Sequence, residues 1–557
     1  MPTSLFEGHP MTVTTSKLFA LLTRAEPVWT RRRRMYHPPL FLVLMAAVVA
    51  AASVLPPGYL LIRAAGAGSA KVLNILLRPR TIEVFFASAG LALAVTLAAV
   101  VIGVLLAWLT VRTDLPGRQV WAVAAALPLT LPSYVGAFTL IAALGPRGMV
   151  QGWLEPLGIE RLPSIYGFPG ALLALTLFSY PYVLLSVRAG LRGLDPSLEE
   201  AARSLGRPPL RVFWEITLPH LRPSIFAGGL LVALYTLSDF GAVSLLRFNS
   251  FTRAIYLQYS ASFDRSVAAV LALLLVALTL VILTAENAAR GRASYYRSSA
   301  GAHRRPVLVK LGRWTAPALA FCALITALGV GLPLLVIGFW LGRGLLAGES
   351  LRLGWDLVAN SVAASGLAAG AAVLAAIPVA VLIVRFPGLR SRWLERTTYL
   401  SYALPGVVIA LSLVFFGANY ATFLYQTLAM LVFAYAVRFL PQAVGSARAS
   451  LLQISPRLEE AARSLGRSPR QVLTSITGPL LRPGLSTGLA LVFLTGMKEL
   501  PATLLLAPTG FHTLATRIWS ATEDAFFARA AAPALLLVLV SAAAVWLILA
   551  QEEKGAR

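Results

Sequence analysis

LEEAARSLGR, residues Leu198 to Arg207, returns letter for letter as Leu458 to Arg467, 260 positions further on. An unchanged ten-residue string at that distance marks a chain of two like halves. Both copies carry helix signals. Asp195-Pro196 stands before the first and Ser455-Pro456 before the second. An Asp or Ser oxygen can accept from the free N–H groups of a helix start, and proline at the next position has none to lose. Leu198, Ala201, Ala202 and Leu205 then share one helical face, as do Leu458, Ala461, Ala462 and Leu465. Gly206 and Gly466 suit the left-handed turn that ends such a helix. Pro208-Pro209 and Ser468-Pro469 allow a second short helix, expected to stop near Pro219 and Pro479. Each copy therefore reads as a small amphipathic helix–turn–helix. The flanking segments have diverged while these ten residues have not. One surface docked twice on the same partner explains that difference; a helix pair merely copied with its half is the alternative.

The composition around these loops is that of a lipid-embedded chain. The 557 residues are 58% hydrophobic and 13% charged, with a mean hydropathy of +0.76. Net charge is +25, from 48 Lys and Arg against 23 Asp and Glu. These charges are spread between apolar runs, which fits the positive-inside bias of membrane proteins and argues against a nucleic-acid partner. Cys322 stands alone, so no internal disulfide or thiolate cluster can form. His9, His37, His220, His303 and His512 are too scattered for a metal motif, and no high-affinity metal site is expected.

About twelve spans of some 20 residues fit the apolar runs. The first six fall near 40–62, 85–111, 120–144, 168–190, 223–246 and 266–285. Six more fall near 315–341, 358–384, 398–417, 421–445, 483–506 and 530–550. The domain reading is a cytoplasmic tail over 1–38 ending in Arg31 to Arg34, then a first span and outer loop over 39–84. A first half over 85–285 and a basic cytoplasmic linker over 286–313 follow. A seventh span and outer loop over 314–356, a second half over 357–550 and a cytoplasmic tail over 551–557 complete the chain. With the N-terminus inside, about 34 Lys and Arg lie on inner segments and about 13 on outer loops, so both ends and both LEEAARSLGR loops are expected in the cytoplasm. Pro128, Pro132, Pro181, Pro378, Pro405 and Pro441 fall within spans. They mark either broken helices lining a cavity or ordinary kinks. Pro181 and Pro441, Arg188 and Arg448, and Pro219 and Pro479 share the 260-residue offset, as do Arg222-Pro223 and Arg482-Pro483. Spans two to six and eight to twelve thus form two like-oriented cores, with spans one and seven added in front, and a pathway is expected between the halves.

Glu200-Ala201-Ala202, Gly206 and Ile216-Thr217-Leu218-Pro219 resemble the EAA loop of binding-protein-dependent ABC importer permeases. Glu460-Ala461-Ala462, Gly466 and Ile476-Thr477-Gly478-Pro479 repeat the pattern, with Gly478 where an apolar residue is usual; there the second helix is expected to be softer. The resemblance covers roughly 85–285 and 357–550. It implies an all-α polytopic membrane protein of the type I importer permease fold, with two permease halves. It also implies that each loop docks in a cleft of a separate ATPase, through Leu198, Glu199, Glu200, Ala201, Ala202, Leu205 and Gly206, and through Leu458, Glu459, Glu460, Ala461, Ala462, Leu465 and Gly466. Two copies of a cytoplasmic ABC ATPase would then bind ATP and Mg, since this chain has no GxxxxGK[ST] loop and no cofactor of its own. The shallow apolar face suits such a cleft, with Glu199, Glu200, Arg203 and Arg207 as its polar rim.

Ser238-Asp239-Phe240-Gly241-Ala242 with Phe251 to Tyr256, and Met497 to Thr503 with Phe511 to Arg517, are similar to the fused ferric-iron permeases of the same superfamily. That likeness implies ferric iron as cargo, an extracytoplasmic binding protein that delivers it, and the bacterial inner membrane as location. Thiamine or a small oxyanion or phosphonate is the alternative cargo, and an ion-coupled secondary transporter the alternative class. No nucleophile or metal cluster marks an enzyme. Ionisable residues within a span usually face a bundle interior or water, which makes Asp239, Lys498 and Glu499 candidates for the pathway or its gate. Alternatively, Lys498 pairs with Glu499 or Asp239 and locks the halves together.

Overall fold

In a bilayer every backbone N–H and C=O must be satisfied within the chain, and the apolar runs satisfy them as helices. The computed structural model describes residues 38–146, 148–158, 162–261, 265–290, 308–348 and 354–555. The tail with Arg31 to Arg34 lies outside these residues, as does most of the basic linker. Among the described residues the regular structure is helical, with one isolated β-bridge between Thr113 and Val309.

The helices fall into two matching series. The first comprises α1 (Leu40–Ala65), α2 (Pro79–Arg112), α3 (Ser133–Leu144), α4 (Phe168–Gly193), α5 (Pro196–Ser204), α6 (Leu218–Ser238), α7 (Gly241–Leu245), α8 (Phe251–Ala261) and α9 (Arg265–Arg290). The second comprises α10 (Leu332–Leu346), α11 (Trp355–Arg385), α12 (Gly406–Tyr420), α13 (Leu428–Gln453), α14 (Pro456–Ser464), α15 (Gly478–Met497), α16 (Pro501–Leu506), α17 (Leu514–Glu523) and α18 (Phe527–Gly555). α2, α4 and α6 pack together, and α11, α13 and α15 pack in the same way.

Nine described segments are long and apolar enough to cross a membrane. The third and ninth expected spans are not straight crossings. Arg118–Thr130 meets Ser133–Leu157 at 96°, and Leu389–Ser401 meets Gly406–Tyr420 at 98°. The cause is local: Leu131 and Leu404 are extended, as residues before proline tend to be, and α3 and α12 start after Pro132 and Pro405. The fifth and eleventh spans start and end earlier than expected, at Phe213–Ser238 and Leu473–Met497, and the tenth starts later, at Leu428. Phe527–Ala543, a shorter apolar helix, holds the twelfth place.

The second helix after each glycine turn does not stop at Pro219 or Pro479. It passes through one π turn, Phe213–Thr217 or Leu473–Thr477, and continues as α6 or α15. Leu218 N–H bonds to the Phe213 carbonyl and Gly478 N–H to that of Leu473. The extra residue in the turn relieves the clash a proline ring makes with the carbonyl four residues back. Gly478 does not interrupt this run.

Spans one and seven do not pack simply in front of their own halves. α1 lies against α11 and α12 of the second half, and α10 lies against α3 of the first. Pro57 has no N–H to give the Ser53 carbonyl, and the buried Ser401 hydroxyl donates to it instead, at 3.4 Å. Ser412 Oγ donates to the Pro56 carbonyl at 2.7 Å. α3 also packs on α17 and α18, while α12 packs on α8 and α9. The two halves therefore interlock, each broken helix packing on both.

Within the first half, Gly136 of α3 faces Phe178 of α4 so closely that a Cβ would overlap the edge of the ring. Gly136→Ala is expected to cost about 1–3 kcal/mol through overpacking. The measurement is a lower Tm in detergent, with Phe178→Leu on the same chain recovering part of the loss.

Candidate coupling loops and gate

Each loop is built as its residues dictate. Asp195 accepts from Ser197 N–H at 3.0 Å and caps α5, whereas Ser455 makes no such side-chain cap on α14. Gly206 (φ +80°) and Gly466 (φ +82°) take the left-handed conformation, and the N–H groups of Arg207 and Arg467 return to the carbonyls of Ala202 and Ala462. Beyond the turn, Glu215 accepts from Arg207 and from Arg211 Nε, the latter at 2.7 Å. In the second loop Arg467 donates to Ser475 Oγ at 2.8 Å.

Glu199 and Glu459 do not sit on the outer rim. They point beneath the loop and tie it to the last residue of a membrane helix. Arg112, at the end of α2, places Nε 3.5 Å from Glu199 Oε1 and donates from Nη2 to the Leu191 carbonyl at 3.1 Å. Thr217 Oγ1 donates to the same Glu199 oxygen at 2.9 Å. Arg385, at the end of α11, donates to Glu459 Oε1 at 2.8 Å and to the Ile454 carbonyl at 3.2 Å, and Thr477 completes the set at 3.2 Å. The first tether is deeper: its side chains are 2% and 6% exposed, against 14% and 13% in the second. The returning end of the linker covers it. Val309 N–H donates to the Arg112 carbonyl at 2.8 Å, and Leu311 N–H to Asp114 Oδ1 at 2.9 Å.

Ala202 and Ala462 are buried with the tethers. The upper surface stays open: Ala201 and Ala461 are exposed, Leu205 and Leu465 are 81% and 84% exposed, and Leu458 and Glu460 are exposed as well. Glu200 is half-buried, and the Leu198 side chain lies outside the described residues.

At the far ends of α6 and α15 the chain breaks, and the three gate candidates lie there. Asp239 Oδ1 accepts from the N–H groups of Ala242 (3.0 Å) and Val243 (3.3 Å), capping α7, and Oδ2 accepts from Ser133. Glu499 Oε1 accepts from Ala502 N–H at 3.1 Å, capping α16, and pairs with Arg438. Gly406 leaves the space that this guanidinium fills. Lys498 pairs with neither carboxylate; its Nζ donates across the halves to the Leu129 carbonyl at 3.1 Å. Phe240 and Trp519, from opposite halves, meet beside these breaks with centroids 5.1 Å apart and rings tilted by 33°, and Gly241 lies close to Leu500. The breaks close against one another. Sequence reasoning missed Arg438, Ser133, Arg112 and Arg385. Ser88 and Ser361, Arg112 and Arg385, and Pro132 and Pro405 are each 273 apart, an offset that could have paired them. Among the described residues no group of three or more His, Cys, Asp or Glu could hold a metal ion.

Two like, interlocked sets of membrane-crossing helices, each with a loop of the same sequence, are the build of a membrane permease. Residues 99–289 and 368–554 each match the family described as binding-protein-dependent transport system inner membrane component. The chain is 38% identical to the Fe(3+)-transport system permease protein FbpB 2 of Haemophilus influenzae, over 89% of this chain and 95% of that one. It is 25% identical to the ferric transport system permease protein FbpB of Actinobacillus pleuropneumoniae, over 85% and 72%. The molybdenum transport system permease protein ModB of Escherichia coli is 37% identical over 25% of this chain and 60% of its own. This chain belongs to the binding-protein-dependent inner-membrane permeases, as a fused form that carries the family's domain twice.

Removing one partner of a buried ion pair strands the other charge. Arg112→Met is expected to destabilise by about 3–5 kcal/mol and to expose the first loop to protease. Arg385→Met should cost less, because its pair is wetter. Thermal melts and limited proteolysis check both, and Glu199→Leu on the Arg112→Met chain should restore most of the loss.

Proposed function

We propose that this chain is the permease of an importer that moves ferric iron inward by alternating access. The observation that carries this reading is the pair of loops built on one repeated ten-residue string, each strapped to a membrane helix from below and open above. Two copies of a cytoplasmic ATPase grip them, with ATP and Mg bound in those partners. The loops and both termini lie in the cytoplasm. An extracytoplasmic binding protein delivers the ion at the other face. Ferric iron is favoured by the likeness to an Fe(3+)-transport permease across nearly all of both chains.

Closure of the ATPase pair then moves α5 and α14, and the tethers pass that motion to α2 and α11 through Arg112 and Arg385. The breaks after α6 and α15 must part for the ion to enter. Lys498 must release Leu129, and Phe240 must leave Trp519. Asp239 and Glu499 act in this reading as fixed caps that shape the gate. Their oxygens are held by N–H, hydroxyl and guanidinium donors, so the passing ion meets them without being trapped.

An oxyanion permease is the second reading, favoured by the likeness to the molybdenum permease over part of the chain. Uptake of labelled iron, thiamine and sulfate by cells with and without the gene separates the cargoes. Loss of iron uptake alone supports the proposal, and loss of sulfate uptake alone overturns it. Replacing Gly206 and Gly466 with Leu forces a side chain into a left-handed turn. The double variant is expected to insert normally, yet hydrolyse ATP without uptake. Normal uptake by it would count against the coupling role.

A further inference from the structure

The face opposite the coupling loops carries a feature that the transport cycle leaves unused. A groove of about 310 Å³ opens between the first turns of α2, the length of α8 and the start of α9. α2 ends at the loop tether, so its first residues mark the other end of the bundle. Arg78, Arg80, Arg253 and Asn249 form the rim. Arg253 is held in place: its Nη1 donates to the Arg247 carbonyl at 3.1 Å and to Asn249 Oδ1 at 2.9 Å. Its pKa lies below the usual arginine value, through partial burial and then repulsion from Arg247 and Arg80. Among the described residues none of the three rim arginines forms an ion pair. Glu83, one turn beyond Arg80 on α2, does not pair with them, and the groove has no acidic residue in its described lining.

The floor is of the opposite character. Val84 of α2 and Val267 and Leu271 of α9 line it, and all three are buried. They lie within the first two turns of two membrane-crossing helices. Cations at the water boundary above an apolar floor that descends into the hydrocarbon complement an amphiphile with an anionic head. We propose that this groove binds an anionic phospholipid, with its phosphate among Arg78, Arg80 and Arg253 and an acyl chain along Val84, Val267 and Leu271. An acidic soluble protein would match the rim without reaching the floor. Free phosphate would leave the floor uncovered. Thr516 stands where Arg253 would lie in the second half, counting from the starts of α8 and α17, so the arginine set is complete in the first half alone.

Native mass spectrometry of the purified permease, titrated with phosphatidylglycerol and phosphatidylcholine, tests the assignment. Each arginine near a headgroup contributes about a fivefold factor, so the wild type should retain phosphatidylglycerol with roughly a hundredfold preference. R78Q/R80Q/R253Q should lose that preference. Leu271→Trp, which fills the floor and moves no charge, should weaken retention of phosphatidylglycerol, and it decides the question if the triple variant fails to fold. Equal retention of the two lipids, or a preference that survives the triple substitution, overturns the proposal. So does displacement of the lipid by millimolar inorganic phosphate. It is likewise overturned if the triple variant keeps the lipid and loses capture of an extracytoplasmic binding protein instead.

Discussion

A guanidinium at the end of a membrane helix, set against a glutamate beneath a surface loop, is the contact on which the structure turns. Neither loop has a core of its own. α5 and α14 are two-turn helices, each too short to persist in water unaided. Arg112 with Glu199 and Thr217, and Arg385 with Glu459 and Thr477, hold them by charge where apolar packing is scarce. A buried pair of this kind contributes little net stability against an apolar pair, but it fixes one arrangement, because stranding either charge is costly. That makes the loops stiff where they join the membrane helices and bare where they face outward.

The same division runs through the rest of the molecule. Pro132 and Pro405 turn two spans aside, and the turned segments α3 and α12 pack on both halves. α1 and α10 cross over as well, so neither half is a separable bundle. Where the chain breaks after α6 and α15 the halves touch through a lysine on a carbonyl, an aromatic pair and the approach of Leu500 to Gly241. The carboxylates there are committed to capping. Half one holds Asp239 with Ser133, and Phe178 covers Gly136; half two holds Glu499 with Arg438, and the space comes from Gly406. The same place is closed by two different exchanges of side chain.

The loops were legible in the chain because a repeated string, two helix-start signals and two glycines agree with one another. The membrane class was legible from hydropathy, and the approximate places of the spans with it. The tethers were not, because the 260-residue offset that aligns Glu199 with Glu459 fails for Arg112 and Arg385, which stand 273 apart. The connection over 145–167 is 16 residues longer than 421–427, and α12 is three residues longer than α3, which together give the shift of 13. Nor could the chain show that α1 belongs with the second half. An apolar side chain that faces lipid and one that faces protein read alike in a sequence. Proline marked the breaks at 132 and 405 without revealing that the helix turns by nearly a right angle there. The face that Glu199 turns inward follows from where the loop lies on the body, which helical periodicity does not contain.

If a motor outside this chain moves the two loops together, the distance between them changes in the working cycle. With Cys322 replaced by Ala, spin labels at Ser204→Cys and Ser464→Cys report the distance between the loop surfaces. That distance should be measured in the assembled transporter before and after trapping with ATP and vanadate. It should shorten on trapping. An unchanged distance in a transporter that still hydrolyses ATP would mean that no common motor draws the loops together.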